Sequence, residues 1–154
     1  MNIDIIIPPI LIIVGGIITW LVKKKTEELK AVEERLREEK RKIYTQLLDP
    51  YIELLSGQDQ IKAIKKVTSY EYKKNAFYLC LYGSDKVISA YNSLMKFAYE
   101  SDFDNSNYDA EKMFNLFGHF ILEIRKDLGY KKSKLDEIDM LRGIIKDIDK
   151  NLNK

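Results

Sequence analysis

The feature that most constrains this chain is a run of uncharged, mostly aliphatic residues near its start, from Ile5 to Val22. Built as a helix that rises 1.5 Å per residue, the run would be about 27 Å long, close to the roughly 30 Å hydrocarbon core of a bilayer. Inside a bilayer the backbone groups have no partner except the helix itself, so even an isoleucine-rich segment is expected to be helical. The sequence therefore predicts a transmembrane anchor over residues 1–22.

Residues around the run predict how the anchor is oriented. Trp20 is placed where an indole can meet the headgroups, and Lys23, Lys24 and Lys25 follow directly and are expected to stay on the cytoplasmic side. A cleaved signal peptide would carry its positive charge before the apolar run, whereas here Asp4 precedes it. We therefore predict a single-pass protein of the cell membrane, with the N-terminus outside and the C-terminal domain in the cytoplasm.

Two residue pairs bear on the character of the anchor. Pro8-Pro9 indicates that the regular helix starts there, which makes the span short. Gly15-Gly16 would let another helix approach closely, but the pair lacks the full G-x-x-x-G spacing. The favoured interpretation is that these glycines loosen the helix, and self-association through them is the alternative.

The segment after the anchor, residues 23–48, is highly charged and contains no helix breaker. Nine basic and six acidic residues between positions 23 and 42 predict a solvated helical stalk. Leu29, Leu36 and Ile43 recur every seventh residue, as in a coiled-coil seam, although Glu39 interrupts the companion positions. Two alternatives stay open: the stalks of several copies associate, or the apolar stripe packs on the protein's own domain.

Residues 49–154 are predicted to form the folded domain. Asp49-Pro50 is interpreted as a helix restart, with Asp as the N-cap and Pro at the first helical position, and a kink in one long helix is the alternative. Helices are then predicted over about 58–82, 85–100 and 108–128. In the first of these, the residues expected on or near one inward face are Ile61, Ile64, Val67, Phe77 and Cys80.

The end of the chain is predicted to hold a last helix. Gly83 and Gly129 are expected to end the preceding helices, and Ser133 with Asp136 three residues later is an acidic variant of the capping box. No segment alternates convincingly between apolar and polar residues, so strands are not expected. The predicted fold is all-α: one transmembrane helix continues into a charged helical stalk, followed by a four- or five-helix bundle.

Residues that could carry chemistry are few. His119 is the only histidine, and Glu123 would share its helix face, but no second ligand pair supports a metal site. Cys80 is the only cysteine, and its apolar neighbours favour a small core residue over a nucleophile. Phosphate-binding loops and nucleophile elbows do not occur in the sequence. We therefore predict no catalytic, cofactor or metal site, and a protein that is not an enzyme.

The charge balance argues against a nucleic-acid partner. The net charge is only +2, and the ten tyrosines lack the basic interleaving of a nucleic-acid platform. Most of these tyrosines are interpreted as amphipathic packing residues at the edge of the bundle. The alternative is that some of them line a groove for a partner.

Two strings in the domain, GSDKV from Gly83 and EIRKDLG from Glu123, carry a resemblance. They resemble landmarks in a group of uncharacterised prokaryotic single-span membrane proteins with a cytosolic helical domain. The resemblance covers residues 47–148 and implies a shared fold without assigning an activity. Arg125 and Asp127 are not explained by a helix stop, so we take them as candidate residues of a partner surface.

Taken together, these features predict a membrane-tethered helical interaction module, an adapter or scaffold at the cytoplasmic face. Its expected partners are the lipid bilayer and a protein that the sequence does not identify, with no cofactor. The alternative is an oligomeric membrane effector, a pore-forming protein of the defence or toxin type. The short span, the glycine pair and the partial heptad support that alternative, whereas the absence of a polar face on the span opposes it.

Overall fold

A computed structural model describes residues 3–56, 60–100, 109–145 and 148, with side chains from residue 15 onward except at 60, 61, 63 and 64. The described secondary structure is entirely helical, which confirms the all-α prediction. The elements are α1 (Ile3–Leu55), α2 (Gln60–Thr68), α3 (Tyr70–Tyr82), α4 (Asp85–Glu100), α5 (Ala110–Asp127) and α6 (Asp139–Arg142). By their internal contacts they form two compact units, Met1–Glu38 and Glu39–Lys154.

The first unit consists of the N-terminal part of α1. Every side chain from Gly15 to Leu36 is exposed. The side chains of residues 1–14 lie outside the described part of the chain, and with them most of the predicted span from Ile5 to Val22. Among the residues that the structure describes, no helix is both long enough and apolar enough to cross a membrane.

The second unit begins inside the predicted stalk. Ile43, Tyr44 and Leu47 are buried, so the last part of the stalk segment belongs to the domain core. The predicted helix restart at Asp49-Pro50 is wrong, because α1 continues through both residues to Leu55. A proline inside a helix costs about 3 kcal/mol, but each large side chain buried on this face contributes about 1.5–3 kcal/mol, which is enough to keep the helix in one piece.

The single helix predicted over 58–82 is two helices. Ser69 takes an extended backbone conformation (φ −69°, ψ 156°), and its hydroxyl accepts a hydrogen bond from the Tyr72 amide at 3.2 Å. A serine in this role is an N-cap, so α3 starts afresh after α2 ends at Thr68. The side chains of Ile61 and Ile64 lie outside the described part of the chain.

The middle of the domain agrees with the prediction. The bounds of α4 are those expected, and its apolar stripe packs against α5. Gly129 ends α5 with a positive φ of 115°, and the amides of Gly129 and Tyr130 donate to the carbonyls of Lys126 and Arg125. This pair of bonds is a Schellman motif, which uses glycine because other residues rarely adopt a left-handed backbone.

The last helix predicted from Ser133 starts in the wrong place, because residues 133–138 are not helical and α6 covers Asp139–Arg142. The capping box that was predicted for Ser133 and Asp136 is instead formed one turn later, by Asp136 and Asp139. The Asp136 amide donates to the Asp139 carboxylate at 3.0 Å, and the Asp139 amide donates to the Asp136 carboxylate at 2.7 Å. The preceding segment instead packs on α5, where Gly118 accommodates the backbone of Glu137.

One hydrophobic core joins the helices of the second unit. Helix α5 packs against both α4 and α6, and α2 packs against α3. The buried members of the core are Ile43, Tyr44 and Leu47 in α1, Tyr72 and Leu79 in α3, Val87, Ala90, Tyr91, Leu94 and Met95 in α4, Phe117, Phe120 and Ile124 in α5, Leu141 in α6, and Ile148.

Candidate interaction surface

Helix α3 is fixed to the core by one of its faces. Tyr72, Asn75 and Leu79 are its buried residues, and Leu79 is completely enclosed. The spacing of three and four residues places all three on the same side of the helix. Because this side already anchors α3, the opposite side is free to present a surface.

The opposite side of α3 also carries large apolar side chains. Tyr70, Phe77 and Leu81 lie on one face at helical spacing and are 76%, 68% and 63% exposed. Tyr78 and Tyr82 flank them and are also exposed. We call these five residues the α3 stripe. A helix that is apolar on both sides normally has both sides covered, so an exposed second side marks a candidate binding surface.

The stripe corrects two predictions about α3. Phe77 and Cys80 were expected to face inward, but both are exposed. The string AFYLCLY is apolar at every position, so its pattern does not distinguish the inner face from the outer one. Ser69 was a usable signal for the start of the new helix, although an N-cap does not define which side of that helix faces the core.

The segment of the chain that contains the stripe is basic. From residue 60 to residue 82 the chain carries five lysines and one acidic residue, Glu71, a net charge of +4. Lys73 is exposed, and Lys74 is only loosely paired with Glu71, at 3.6 Å. Lys66 is engaged elsewhere, since its ammonium contacts Asp49 at 2.9 Å and Glu53 at 2.5 Å on α1. The segment that holds the stripe is therefore positively charged overall, with Lys73 and Lys74 as the basic residues of α3 itself.

A group of tyrosines lies beneath α3 and holds it in place. The Tyr72 hydroxyl is 3.5 Å from that of Tyr51, and the Tyr51 ring packs on Phe117 with centroids 4.9 Å apart. Tyr91 packs on Phe120 at 5.6 Å. Burial raises the pKa values of Tyr51 and Tyr72, and it raises the pKa of Tyr91 to about 12. These phenols therefore stay neutral and serve packing.

The residues predicted at the membrane interface lie in the first unit. Trp20 is exposed, and the Lys24 ammonium lies over its ring, 5.5 Å from the centroid. Lys23 and Lys25 are exposed. At Gly15 and Gly16 an added Cβ would meet no atom of the described residues within 4 Å, so nothing in that part of the chain needs these glycines to be small.

The residues of the predicted heptad have different environments. Leu29 and Leu36 are exposed in the first unit, whereas Ile43 is buried in the core of the second. The alternative in which the stripe packs on the protein's own domain therefore describes the environment of Ile43. Leu29 and Leu36 stay available for the other alternative.

The two residues proposed for a partner surface, Arg125 and Asp127, have contacts within the chain. The Asp127 carboxylate accepts hydrogen bonds from the Lys40 ammonium and the Tyr44 hydroxyl. The Arg125 guanidinium stacks on the Tyr130 ring, with its Cζ atom 4.3 Å from the centroid. Whether a partner touches either residue stays a prediction.

The two residues considered as metal ligands are brought to different partners. His119 Nδ1 lies 3.1 Å from a Glu137 carboxylate oxygen, and the Glu123 carboxylate accepts from Lys126 at 2.6 Å. A bond from its own backbone and the one from His119 lower the pKa of Glu137. Among the described residues, no group of three or more candidate ligands is placed to hold a metal ion.

Comparisons with protein-family models, with curated proteins and with solved structures found no match to this chain. The resemblance drawn from GSDKV and EIRKDLG therefore stays a prediction.

Proposed function

We propose that this protein is a membrane-tethered helical interaction module. Its α3 stripe would bind a protein partner whose apolar contact surface is edged by acidic groups. The module would act by binding, without catalysis and without a cofactor, and its second unit would face the cytoplasm.

The observation that carries the proposal is the double-sided apolar character of α3. Phe77 and Leu81 are large side chains left in water, and burying each against a partner is worth about 1.5–3 kcal/mol before the costs of association. Tyrosines such as Tyr70 and Tyr78 suit the same purpose, because an aromatic ring offers contact area at a low entropy cost.

The lysines of α3 indicate that the partner's contact surface is acidic. Lys73 and Lys74 lie on α3 between Tyr70 and Phe77. An acidic rim on the partner would speed association and exclude basic competitors, although rim charges add little to affinity. We therefore favour an acidic protein over a second copy of this chain, which would place like charges together.

The tether is supported by the sequence and by the exposure of the first unit. The run from Ile5 to Val22 carries no charge. Within it Ile17, Ile18, Trp20, Leu21 and Val22 are all exposed. At about 100° per residue these positions span about 200° of the helix circumference, a wider face than the apolar stripe of an ordinary amphipathic helix, and a bilayer is a medium that covers so broad a face.

Site-specific photocrosslinking in native membranes tests the proposal. The full chain carries a photoreactive phenylalanine in place of Phe77 or Leu81, one variant at a time. We expect one partner, the same in both variants, to be captured. A matched variant at Asn92, exposed on α4, should not capture it. In the Phe77 background, K73E together with K74E should reduce the yield at least about tenfold if the partner's rim is acidic.

The outcomes separate the alternatives. Capture from Asn92 as readily as from Phe77 would contradict a binding role for the stripe. An adduct between two copies of this chain would contradict the acidic partner and would identify the occupant as the chain itself. Capture that survives charge reversal would leave the stripe as the site but overturn the assignment of an acidic rim.

A second candidate function, an oligomeric membrane effector, is favoured by one observation. Leu29, Val32 and Leu36 are exposed apolar residues on the first unit, at a spacing that suits a helix–helix seam. Light scattering of the full chain in a mild detergent measures its mass. A strict monomer contradicts this candidate, and a higher oligomer that dissociates in L29S and L36S supports it.

A further inference from the structure

A cavity at the C-terminal end of α5 has the chemistry of an anion site. Its volume is about 460 Å³, and it is lined by Arg125, Gly129, Tyr130, Lys131, Lys132 and Ser133. Three of these residues are basic and none is acidic. The Schellman turn at Gly129 brings them together, because it reverses the chain immediately after α5.

Two residues of this lining each have a buried polar atom that is unpaired among the described residues. Within the part of the chain that the structure describes, neither Arg125 Nε nor Ser133 Oγ has a hydrogen-bond partner, although both atoms are enclosed. Buried donors are nearly always satisfied in folded proteins, so two unpaired atoms on residues that line one cavity call for an explanation. A bound group that accepts hydrogen bonds would satisfy both.

The orientation of the Arg125 guanidinium is fixed by its neighbour. It stacks on the Tyr130 ring with its Cζ atom 4.3 Å from the ring centroid, and this contact fixes the plane of the guanidinium group. It forms no ion pair with a described residue. A planar, pre-oriented guanidinium binds phosphate oxygens with two parallel hydrogen bonds.

The acidic residues nearest to the cavity in sequence are already neutralised. The Asp127 carboxylate pairs with Lys40 at 2.9 Å, and the Glu123 carboxylate pairs with Lys126 at 2.6 Å. Neither is therefore available to Arg125. Lys131 and Lys132 are exposed at the rim and add to the positive field.

We propose that this cavity binds a phosphate group, with Arg125 and Ser133 as its direct ligands and Lys131 and Lys132 as its charged rim. The phosphate belongs either to a soluble phosphate compound or to an anionic lipid headgroup, and the chemistry at the cavity is the same. The site is separate from the α3 stripe and does not depend on it.

Two-dimensional ¹H–¹⁵N NMR spectra of the full chain in a non-ionic detergent test the proposal. Inorganic phosphate is titrated while the Arg125 Nε–H signal and the Ser133 amide signal are followed. We expect both to move along one saturable curve. A second arm uses bicelles of phosphatidylcholine alone or with phosphatidylglycerol. Movement with phosphate assigns a soluble ligand, and movement only with phosphatidylglycerol assigns a headgroup.

Three variants make the test specific. R125K keeps the charge but loses Nε and the planar guanidinium group, and S133A removes the hydroxyl with a minimal change of volume. Each should weaken binding, read from the amide at position 133, by about tenfold. K86A removes a charge from an exposed position on α4 and should bind within about twofold of the natural chain. If neither probe moves the Arg125 signal, or if R125K and S133A bind as K86A does, the assignment is overturned.

Discussion

Lys40 on α1 and Asp127 at the end of α5 form an ion pair, with the ammonium 2.9 Å from the carboxylate and both side chains largely buried. The Tyr44 hydroxyl donates to the same carboxylate. This cluster ties the start of the second unit to the end of its central helix. It also accounts for Asp127 without any partner, since three groups from two helices satisfy one another.

Removing the carboxylate should destabilise the domain. D127N leaves the Lys40 charge enclosed and without its counter-charge, so we expect a loss of about 2–3 kcal/mol in the free energy of unfolding. E100Q disrupts an exposed pair with Lys96 and should cost less than about 0.5 kcal/mol. Urea titration followed by circular dichroism measures both. Equal stability of the two variants would show that the cluster contributes nothing.

Gly118 should not tolerate a methyl group. A Cβ at this position would lie 2.1 Å from the Glu137 carbonyl oxygen, a backbone atom that cannot move without shifting its whole segment. We expect G118A to lose about 2–3 kcal/mol of stability. Gly143 is the control, since its backbone is helical and a Cβ there would meet nothing within 4 Å. G143A should be neutral or gain about 0.5 kcal/mol, and thermal unfolding of both variants checks the contrast.

The contact between Gly118 and Glu137 explains why the start of the last helix was predicted in the wrong place. The bounds of α4 and the end of α5 were predictable because Gly83 and Gly129 act on neighbouring residues. The capping box expected at Ser133 was equally local, but the segment around it is held by Gly118, which is distant in sequence. Local signals compete with such contacts, and here the contact moved the cap by one turn, to Asp136 and Asp139.

The candidate surface was hidden for a different reason. Phe77 and Cys80 lie in the string AFYLCLY, which is apolar at every position, so its periodicity does not define an inner face. Only the burial of Tyr72 and Leu79 shows which side faces the core. The sequence could not predict the unpaired atoms of Arg125 and Ser133 either, because the lack of a hydrogen-bond partner is a property of the packed structure.

Alkaline pH should weaken the fold through its buried tyrosines. The ordinary pKa of tyrosine is 10.0, and burial raises that of Tyr91 to about 12. Between these values the unfolded chain loses a proton that the folded chain keeps, so stability is full below pH 10 and falls as the pH rises toward 12. The melting temperature should decline over this window, and the decline should be shallower in Y91F.

Tyr70 supplies the control for the pH experiment. It is exposed on the α3 stripe, so Y70F should leave the slope of melting temperature against pH unchanged. A slope that Y70F and Y91F alter equally would contradict the assignment of the effect to burial. Tyr72, whose pKa burial also raises, should behave as Tyr91 does.

The start of α3 should depend on Ser69. Its hydroxyl accepts from the Tyr72 amide, so S69A leaves a helix N-terminus without its cap and should cost about 1 kcal/mol. The exposed Ser93 hydroxyl donates to the Ser89 carbonyl within α4, and S93A should change stability by less than about 0.5 kcal/mol. Amide hydrogen exchange at Tyr72 should speed up in S69A alone, and unchanged exchange there would contradict the capping role.

The two leucines of α3 should separate the structural side of the helix from the binding side. Leu79 is fully enclosed, so L79A leaves a cavity and should cost about 3 kcal/mol, whereas L81A removes a side chain already in water and should cost less than about 0.5 kcal/mol. Urea titration measures the two losses. If L81A destabilises the domain as much as L79A does, the α3 stripe is part of the core and cannot be a free surface. If it does not, any loss of partner binding in L81A reflects the surface itself, because the fold beneath it is intact.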